Sequence, residues 1–241
     1  MSNNELVDIM GIPFNKLTQL ELLEEHVYPR IKNHQRTFVV TANPEIVMQT
    51  RIDEIYKKSV KSANYIIPDG AGVVIASKLL GNPIEERVTG FDVMFKLLDF
   101  ANDNKLSCYF LGAKPESNKR AVEKIKVNYP NLKIAGNQHG YFNDDKQIAL
   151  EIASVEPDII FVALGFPKQE NWIATHMELF EKGLFMGVGG AFDILAGDVK
   201  RAPKIWISLN LEWLYRLVKQ PFRWKRILKA FEFMFRIILK K

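Results

Sequence analysis

Short apolar runs recur along the chain and alternate with longer segments in which apolar residues return every three or four positions. The runs are five to eight residues long and lack strict polar–apolar alternation, which predicts strands that are buried on both faces of a sheet. The predicted strands are residues 37–42, 64–68, 108–112, 132–136, 158–165 and 184–190. Repeated strand–helix units of this kind predict an α/β fold with a parallel sheet and right-handed crossovers.

Helical periodicity marks the segments between these runs, as in residues 44–63, 91–104 and 115–130. Residues 6–15 predict a small hairpin ahead of the first helix. We therefore predict a Rossmann-like parallel sheet with flanking helices, which forms a core of residues 1–199. No stretch reaches the roughly 18 uninterrupted apolar residues of a membrane-spanning helix, and the first residues lack the basic start and apolar core of a signal peptide.

The charge of the chain changes sign near residue 200. The whole chain has a net charge of +5, but residues 200–241 contain twelve Lys and Arg and only two Glu, so the preceding residues are mildly acidic. A basic tail of this kind predicts an anionic partner, for which a membrane surface, a nucleic acid and a phosphate group are the alternatives.

The last segment of the tail predicts an amphipathic helix, because its charged residues step by three or four positions and its apolar residues fill the other side. The charged set is Lys225, Lys229, Glu232, Arg236 and Lys240, and the apolar set is Ile227, Leu228, Phe231, Met234, Phe235, Ile238 and Leu239. We interpret residues 200–241 as a basic helical appendage that docks on an anionic membrane surface and completes the active site. An ordinary helix packed on the core is the alternative.

Polar residues follow directly after several predicted strands, at the edge of a parallel sheet where ligands bind. Thr41 lies at the end of the first strand, Asn43 follows it, and Asp69 follows the second. Asn43 before Pro44 predicts a helix N-cap. We expect Asp69 to be the N-cap of the helix that starts at Ala71, to be a reactive carboxylate that points into the crevice, or to have both roles.

Two further segments of this edge have side chains or turns suited to ligand binding. Gln169 lies in the first turn of a predicted helix, and Gly187, Gly189 and Gly190 form a turn that allows a phosphate or ribose to approach closely. Neither this turn nor the one at Gly70 has the glycine spacing of the dinucleotide fingerprint, and no P-loop motif is present. The sequence therefore argues against a dehydrogenase and a P-loop NTPase.

Signals for metal binding and for disulfides are weak. The four histidines lack the spacing of paired ligands, and no Asp-x-Asp pair is present that would hold a divalent ion on a nucleotide diphosphate. The single cysteine, Cys108, lies in an apolar run and is interpreted as a small buried hydrophobe. We expect a reaction that uses no metal and no other cofactor.

The ordered motifs along the chain resemble the WecG/TagA/CpsF glycosyltransferase family over essentially its whole length. The matching segments are residues 41–47 (TANPEIV), 67–74 (IPDGAGVV), 86–92 (ERVTGFD), 164–170 (LGFPKQE), 187–197 (GVGGAFDILAG), 200–203 (KRAP) and 211–217 (LEWLYRL). The resemblance is closest to the TagA/TarA branch, which initiates wall teichoic acid in Gram-positive bacteria.

This resemblance implies transfer of N-acetylmannosamine, with inversion, from its UDP conjugate to the 4-hydroxyl of GlcNAc on a diphospho-undecaprenol lipid. It places the family's catalytic base on Asp69, its site threonine on Thr41 and its site glutamine on Gln169. The substrate-binding positions that it implies are Asn43, Arg87, Arg216, Arg223 and Arg226. Without a metal, arginines and helix N-termini would stabilise the charge on the departing UDP.

The resemblance also implies a location and partners. We expect a cytoplasmic protein that associates peripherally with the inner face of the cell membrane and binds UDP-ManNAc and a lipid-linked GlcNAc diphosphate, while a homo-oligomer is left open. Two alternatives are a family member that uses a different UDP-sugar and, less favoured, a nucleic-acid-binding protein, which the aromatic residues of the basic tail indicate. We expect no nucleic-acid partner.

Overall fold

The computed structural model describes residues 6–208, 211–221 and 224–239. Eight strands in this part of the chain form a two-stranded hairpin and a six-stranded sheet. The strands are β1 (Leu6–Ile9), β2 (Ile12–Asn15), β3 (Thr37–Ala42), β4 (Tyr65–Pro68), β5 (Ser107–Gly112), β6 (Lys133–Gln138), β7 (Ile159–Ala163) and β8 (Leu184–Gly187). The hairpin and all six predicted strands are confirmed, with ends that shift by at most three residues.

The larger sheet is parallel and has the strand order β4-β3-β8-β7-β5-β6. From β3 the chain first adds β4 on one side, and all later strands lie on the other side. The strand order therefore reverses beside β3, and ligands bind outside the carboxyl ends of the strands at such a point. Ala42 pairs with Pro68 at these ends, so residues 43 and 69 leave neighbouring strands side by side.

Helices cover both faces of the sheet. They are α1 (Gln19–Glu21), α2 (Tyr28–Lys32), α3 (Pro44–Thr50), α4 (Glu54–Lys61), α5 (Ala71–Leu79), α6 (Gly90–Asp103), α7 (Pro115–Asn128), α8 (Asp145–Ser154), α9 (Lys168–His176), α10 (Ala191–Ala196), α11 (Lys204–Ser208), α12 (Glu212–Lys219) and α13 (Trp224–Ile238), with a π-helical segment at Leu22–Val27. The helix predicted over 44–63 is two helices, because the Asp53 side chain accepts a 2.9 Å hydrogen bond from the Tyr56 N–H and caps α4.

The strands of the larger sheet are buried on both faces, as their apolar runs predict. On β7, Phe161 packs into the cluster that contains the buried side chains of α6 and α7. Its neighbours Ile160 and Val162 pack into the second cluster, which contains those of α3, α4 and α9. Successive side chains of a strand point to opposite faces, so a continuous apolar run fills two cores.

The last helix of the tail, α13, packs on α3 and α5. Phe233 and Ile237 are 0% and 4% exposed and belong to the same core cluster as residues of those helices. The following apolar side chains of the tail are between 47% and 65% exposed: Trp224, Leu228, Phe231, Phe235, Ile238 and Leu239. The helix thus has a core-packed face, as the alternative interpretation of the tail predicts, together with an exposed apolar stripe formed by the six side chains just given. The division of the chain at residue 199 stays a prediction.

Candidate active site

A cavity of about 510 Å³ lies beyond the carboxyl ends of β3 and β4. Its walls come from the loops after these strands, from the first turns of α3, α5 and α6, and from α12 and α13. The polar side chains on the wall include those of Asn43, Asp69, Arg87, Thr89, Arg216 and Arg226. The tail therefore forms part of the cavity wall together with the carboxyl edge of the sheet, to which the sequence analysis assigns the candidate ligand-binding residues.

Asn43 caps α3, as predicted. Its Oδ1 atom accepts a 3.0 Å hydrogen bond from the backbone N–H of Ile46, and Pro44 occupies the first turn of the helix. The start of α5 lies close by, since a Cβ atom at Gly72 would lie only 2.8 Å from Cγ of Pro44. A glycine is needed at this approach, and it allows the N-termini of both helices to line the cavity.

Asp69 does not cap α5, and that prediction is wrong. The helix begins at Ala71, so the N-cap is Gly70, which has a φ of +112° and makes no side-chain capping bond. Asp69 therefore lies one residue too early for this role. Its Oδ2 atom instead accepts a 3.3 Å hydrogen bond from the backbone N–H of Gly90, the first residue of α6.

The surroundings raise the pKa of the Asp69 carboxyl group. Burial is the largest cause, and the charge of Glu212 acts in the same direction. Arg87, the Gly90 N–H and Arg216 oppose this rise, because each of them stabilises the carboxylate. A carboxyl group whose pKa is raised by burial, and which lies in a cavity beside guanidinium groups, is a candidate for proton transfer.

Thr41 lies next to this arrangement but not on the cavity wall. A Cβ atom at Gly90 would lie 2.7 Å from Oγ1 of Thr41, so the threonine side chain packs directly against the start of α6. Thr89 caps this helix by accepting a 3.2 Å hydrogen bond from the N–H of Asp92. Thr41 and Asp69 thus contact the same glycine, which is a link that the sequence does not indicate.

Two of the predicted arginines meet at Glu212, a residue that the sequence analysis missed. Nη2 of Arg87 lies 3.2 Å from Oε2 of Glu212, and Nη2 of Arg216 donates to Oε1 of the same carboxylate. One carboxylate therefore holds two guanidinium groups at the cavity wall. The four-residue spacing of Glu212 and Arg216 is the signal that could have indicated their pairing on a helix.

Of the two other predicted tail arginines, only Arg226 lies within the described residues. Nε of Arg226 lies 3.5 Å from Oε1 of Glu45, so this residue joins α13 to α3 at the cavity. The nearby Lys229 donates to the side-chain oxygen of Gln49 at 3.4 Å and strengthens the same attachment. Arg223 lies outside the described residues.

The structure does not bring Gln169 or the glycine-rich turn to the wall of this cavity. Oε1 of Gln169 accepts a 3.1 Å hydrogen bond from the N–H of Gly189, and a Cβ atom at Gly187 would lie 2.5 Å from the Gln169 amide nitrogen. Gly190 is the N-cap of α10. These residues lie at or just after the ends of β7 and β8, and β8 is the direct neighbour of β3, so they form a second part of the same sheet edge.

The described part of the chain contains no group of three or more His, Cys, Asp or Glu side chains that could hold a metal ion. Among these same residues, no helix is both long and apolar enough to cross a membrane. Cys108 is a buried free thiol, as predicted, and burial raises its pKa.

A comparison with known families identifies the source of the ordered motifs. The profile described as "Glycosyl transferase WecG/TagA/CpsF family" matches residues 7–241, which include both parts of the sheet edge and the tail. The chain belongs to this family. The family membership predicted from the motifs is thereby confirmed.

Several relatives within the family are similar over most of their length, and three of them share the name N-acetylglucosaminyldiphosphoundecaprenol N-acetyl-beta-D-mannosaminyltransferase. The relative from Bacillus subtilis is 43% identical over 223 residues, or 91% of this chain and 86% of the relative. The one from Bacillus spizizenii is 41% identical over 198 residues, or 82% and 77%. The one from Staphylococcus aureus is 40% identical over 245 residues, or 100% and 95%.

Proposed function

We propose that the chain transfers N-acetylmannosamine, with inversion, from UDP-ManNAc to the 4-hydroxyl of GlcNAc-diphospho-undecaprenol, an early step in making the wall teichoic acid linkage unit. The observation that carries this proposal is the placement of Asp69, whose carboxyl group is held by the Gly90 N–H in a cavity walled by arginines. The names of the relatives support the sugar and the lipid acceptor.

Asp69 acts as the general base in this proposal. Its carboxylate takes the proton of the attacking 4-hydroxyl while the hydroxyl oxygen forms a bond to the anomeric carbon of the donor. The bond between that carbon and the β-phosphate oxygen breaks, and its electron pair leaves with UDP. A single displacement of this kind inverts the anomeric configuration. The hydrogen bond from Gly90 orients the carboxylate before the substrates arrive.

Arg87 and Arg216 stabilise the negative charge that develops on the departing UDP. Both line the cavity together with Asp69, and guanidinium groups bind phosphate oxygens with two parallel hydrogen bonds. The N-terminus of α5 adds the positive end of its dipole at the same wall. We propose that these groups replace a metal ion and that the reaction needs no cofactor. Asn43, Arg226 and the undescribed Arg223 are further candidates for substrate contacts.

The second part of the sheet edge, which is formed by Gln169 and the glycine-rich turn after β8, binds the donor in this proposal. The turn leaves room for a ribose or phosphate beside the backbone at Gly189, where a Cβ atom would meet nothing within 4 Å, and at Gly190, where the nearest atom would lie 3.8 Å away. The Gln169 side chain fills the space beside Gly187 and is hydrogen-bonded to Gly189. β3 lies between β8 and β4, the strand that Asp69 follows. A donor bound at this turn would therefore extend its sugar along the same edge of the sheet toward Asp69. Thr41 lies between the two parts, at the end of β3.

The tail provides a surface for the lipid acceptor. Each residue of a helix is rotated by about 100° from the one before, so four consecutive residues of α13 sample four faces. Phe233 is packed in the core, Met234 lines the cavity, Phe235 is exposed and Arg236 lies on the charged side. The exposed apolar stripe therefore lies between the cavity and the charged face. We infer that it enters the interface of an anionic membrane, on the inner face of the cell membrane.

Product analysis tests the proposed reaction and its alternatives. Separate incubations with a panel of UDP-sugars and a synthetic prenyl-diphosphate-GlcNAc acceptor would be analysed by mass spectrometry. We expect UDP-ManNAc to yield a product one N-acetylhexosamine heavier. Efficient transfer only from another UDP-sugar would replace the donor, and failure with every donor would refute the reaction. A nucleic-acid-binding protein, which the comparisons do not favour, would instead bind DNA with a steep salt dependence.

The acid limb of the pH–rate profile should move in opposite directions in two variants. Glu212→Gln removes a charge that raises the pKa of Asp69, so the active carboxylate should persist to lower pH. Arg87→Gln removes a charge that lowers this pKa, so activity should be lost at higher pH than in the wild type. The midpoint of the acid limb of kcat is the measurement. Shifts of both variants in one direction would contradict the role of Asp69 as base.

A further inference from the structure

A buried chain of hydrogen bonds connects α4 with the glycine-rich turn after β8. The hydroxyl of Tyr56 donates to Oε2 of Glu170 at 3.1 Å. The amide nitrogen of Gln169 donates to Oε1 of the same carboxylate at 2.8 Å. The backbone N–H of Gly189 donates to Oε1 of Gln169 at 3.1 Å and completes the chain.

The three side chains that make up these hydrogen bonds are almost entirely removed from solvent. Tyr56, Glu170 and Gln169 are 0%, 2% and 6% exposed. Burial raises the pKa of the Glu170 carboxyl group, and the hydrogen bonds from Gln169 and Tyr56 oppose the rise. A buried carboxyl group is costly unless its oxygens have donors, and here each oxygen has one. Removal of either Glu170 or Tyr56 would therefore take a buried hydrogen-bond partner from the other.

This chain of hydrogen bonds determines the orientation of the Gln169 amide. The two ends of a primary amide have nearly the same shape, and only their hydrogen-bonding partners distinguish them. Glu170 offers an acceptor to the nitrogen, and Gly189 offers a donor to the oxygen. The nitrogen end is packed so closely that Gly187 has no room for a Cβ atom, which would lie 2.5 Å away. Gly189 itself has a φ of +50°.

We propose that Tyr56 and Glu170 are positioning residues of the transfer reaction, which hold the Gln169 amide in the orientation that supports the Gly189 N–H and thereby the turn that receives the donor. The inference rests on the proposed function, since it takes the turn as the donor site. It also gives Gln169 a role in supporting this turn.

Donor binding in two conservative variants tests this role. Tyr56→Phe removes the hydroxyl donor, and Glu170→Gln replaces one acceptor oxygen by a nitrogen that faces another donor. We expect each variant to raise the KM for UDP-ManNAc and the Kd for UDP by about tenfold, the loss of roughly one hydrogen bond, with little change in the KM for the lipid acceptor. Tyr28→Phe is the matched control, because its hydroxyl also donates from a buried ring, to the Lys96 carbonyl at 3.3 Å, in the other core cluster.

A double-mutant cycle separates positioning from general stabilisation. If Tyr56 acts through Gln169, Tyr56→Phe should add no further rise in the UDP Kd when Gln169 is already Ala. A full additional tenfold loss in that background would overturn the inference. Unchanged UDP binding in both single variants would also overturn the inference, but the proposed function would stand as long as the wild-type protein transfers the sugar. Wild-type protein that binds no UDP and transfers no sugar would instead overturn the proposed function and, with it, this inference.

Discussion

The Asp69→Asn variant is expected to fold normally and to lose turnover by about 10²- to 10⁴-fold, the usual contribution of a general base. Asn has nearly the same volume as Asp, and its side-chain oxygen can still accept the hydrogen bond from the Gly90 N–H. It cannot take the proton of the acceptor hydroxyl. Turnover would be measured as UDP release that depends on the lipid-linked acceptor, and folding as the midpoint of thermal unfolding.

Asp144→Asn is the matched control for this experiment. Asp144 also accepts a backbone N–H, that of Gln147 at 2.8 Å, where it caps α8, and it does not line the cavity. The same chemical change at this position should leave turnover near that of the wild type. Turnover of Asp69→Asn within a few-fold of wild type would reduce Asp69 to a residue that orients α6.

Replacement of Phe235 and Ile238 by Ser should weaken binding to anionic vesicles by about 10²-fold or more, since each apolar side chain that leaves water contributes about 1.5–3 kcal/mol. Both side chains are exposed, so the fold should be retained. Serine is neutral, so the basic charge of the tail is unchanged. Vesicle sedimentation measures the binding, and transfer to a water-soluble short-chain acceptor should persist because neither residue lines the cavity.

Two other variants show whether the effect belongs to this stripe. Ile52 and Ile55 are also exposed, on the turn before α4 and on α4 itself, and their replacement by Ser should leave vesicle binding unchanged. Phe233→Ala should instead lower the free energy of unfolding by about 3–5 kcal/mol, because that ring is packed in the core. Wild-type vesicle binding by the Phe235 and Ile238 double variant would disprove the docking surface.

Much of the candidate site could be predicted because its signals are local. The apolar runs before residues 43 and 69 predicted the two strands that place these residues side by side. The Asn43–Pro44 pair predicted a capped helix start, which the structure confirms. Asp69 was misassigned as a cap because Gly70 can serve as the N-cap without any side-chain bond, and a sequence does not show which of two neighbouring residues takes that position.

Contacts between distant segments could not be predicted in this way. Arg87 and Glu212 are 125 positions apart, and Tyr56 and Glu170 are 114 apart. Their meeting depends on the order of strands in the sheet and on how the tail packs over it. The burial of Phe233 is a further case, because the same amphipathic pattern fits a helix on a membrane and a helix on a core.

The sequence by itself determined a parallel sheet with polar residues at its carboxyl edge, and a basic amphipathic tail. It could do so because strand burial, helix capping and helical periodicity depend on residues within a few positions of one another. Only the tertiary structure decided which residues of the tail form a wall of the cavity around Asp69 and that Gln169 lies in a separate buried chain of hydrogen bonds. Those outcomes follow from packing between segments far apart in sequence, which sets both the burial of each carboxyl group and the charges that surround it.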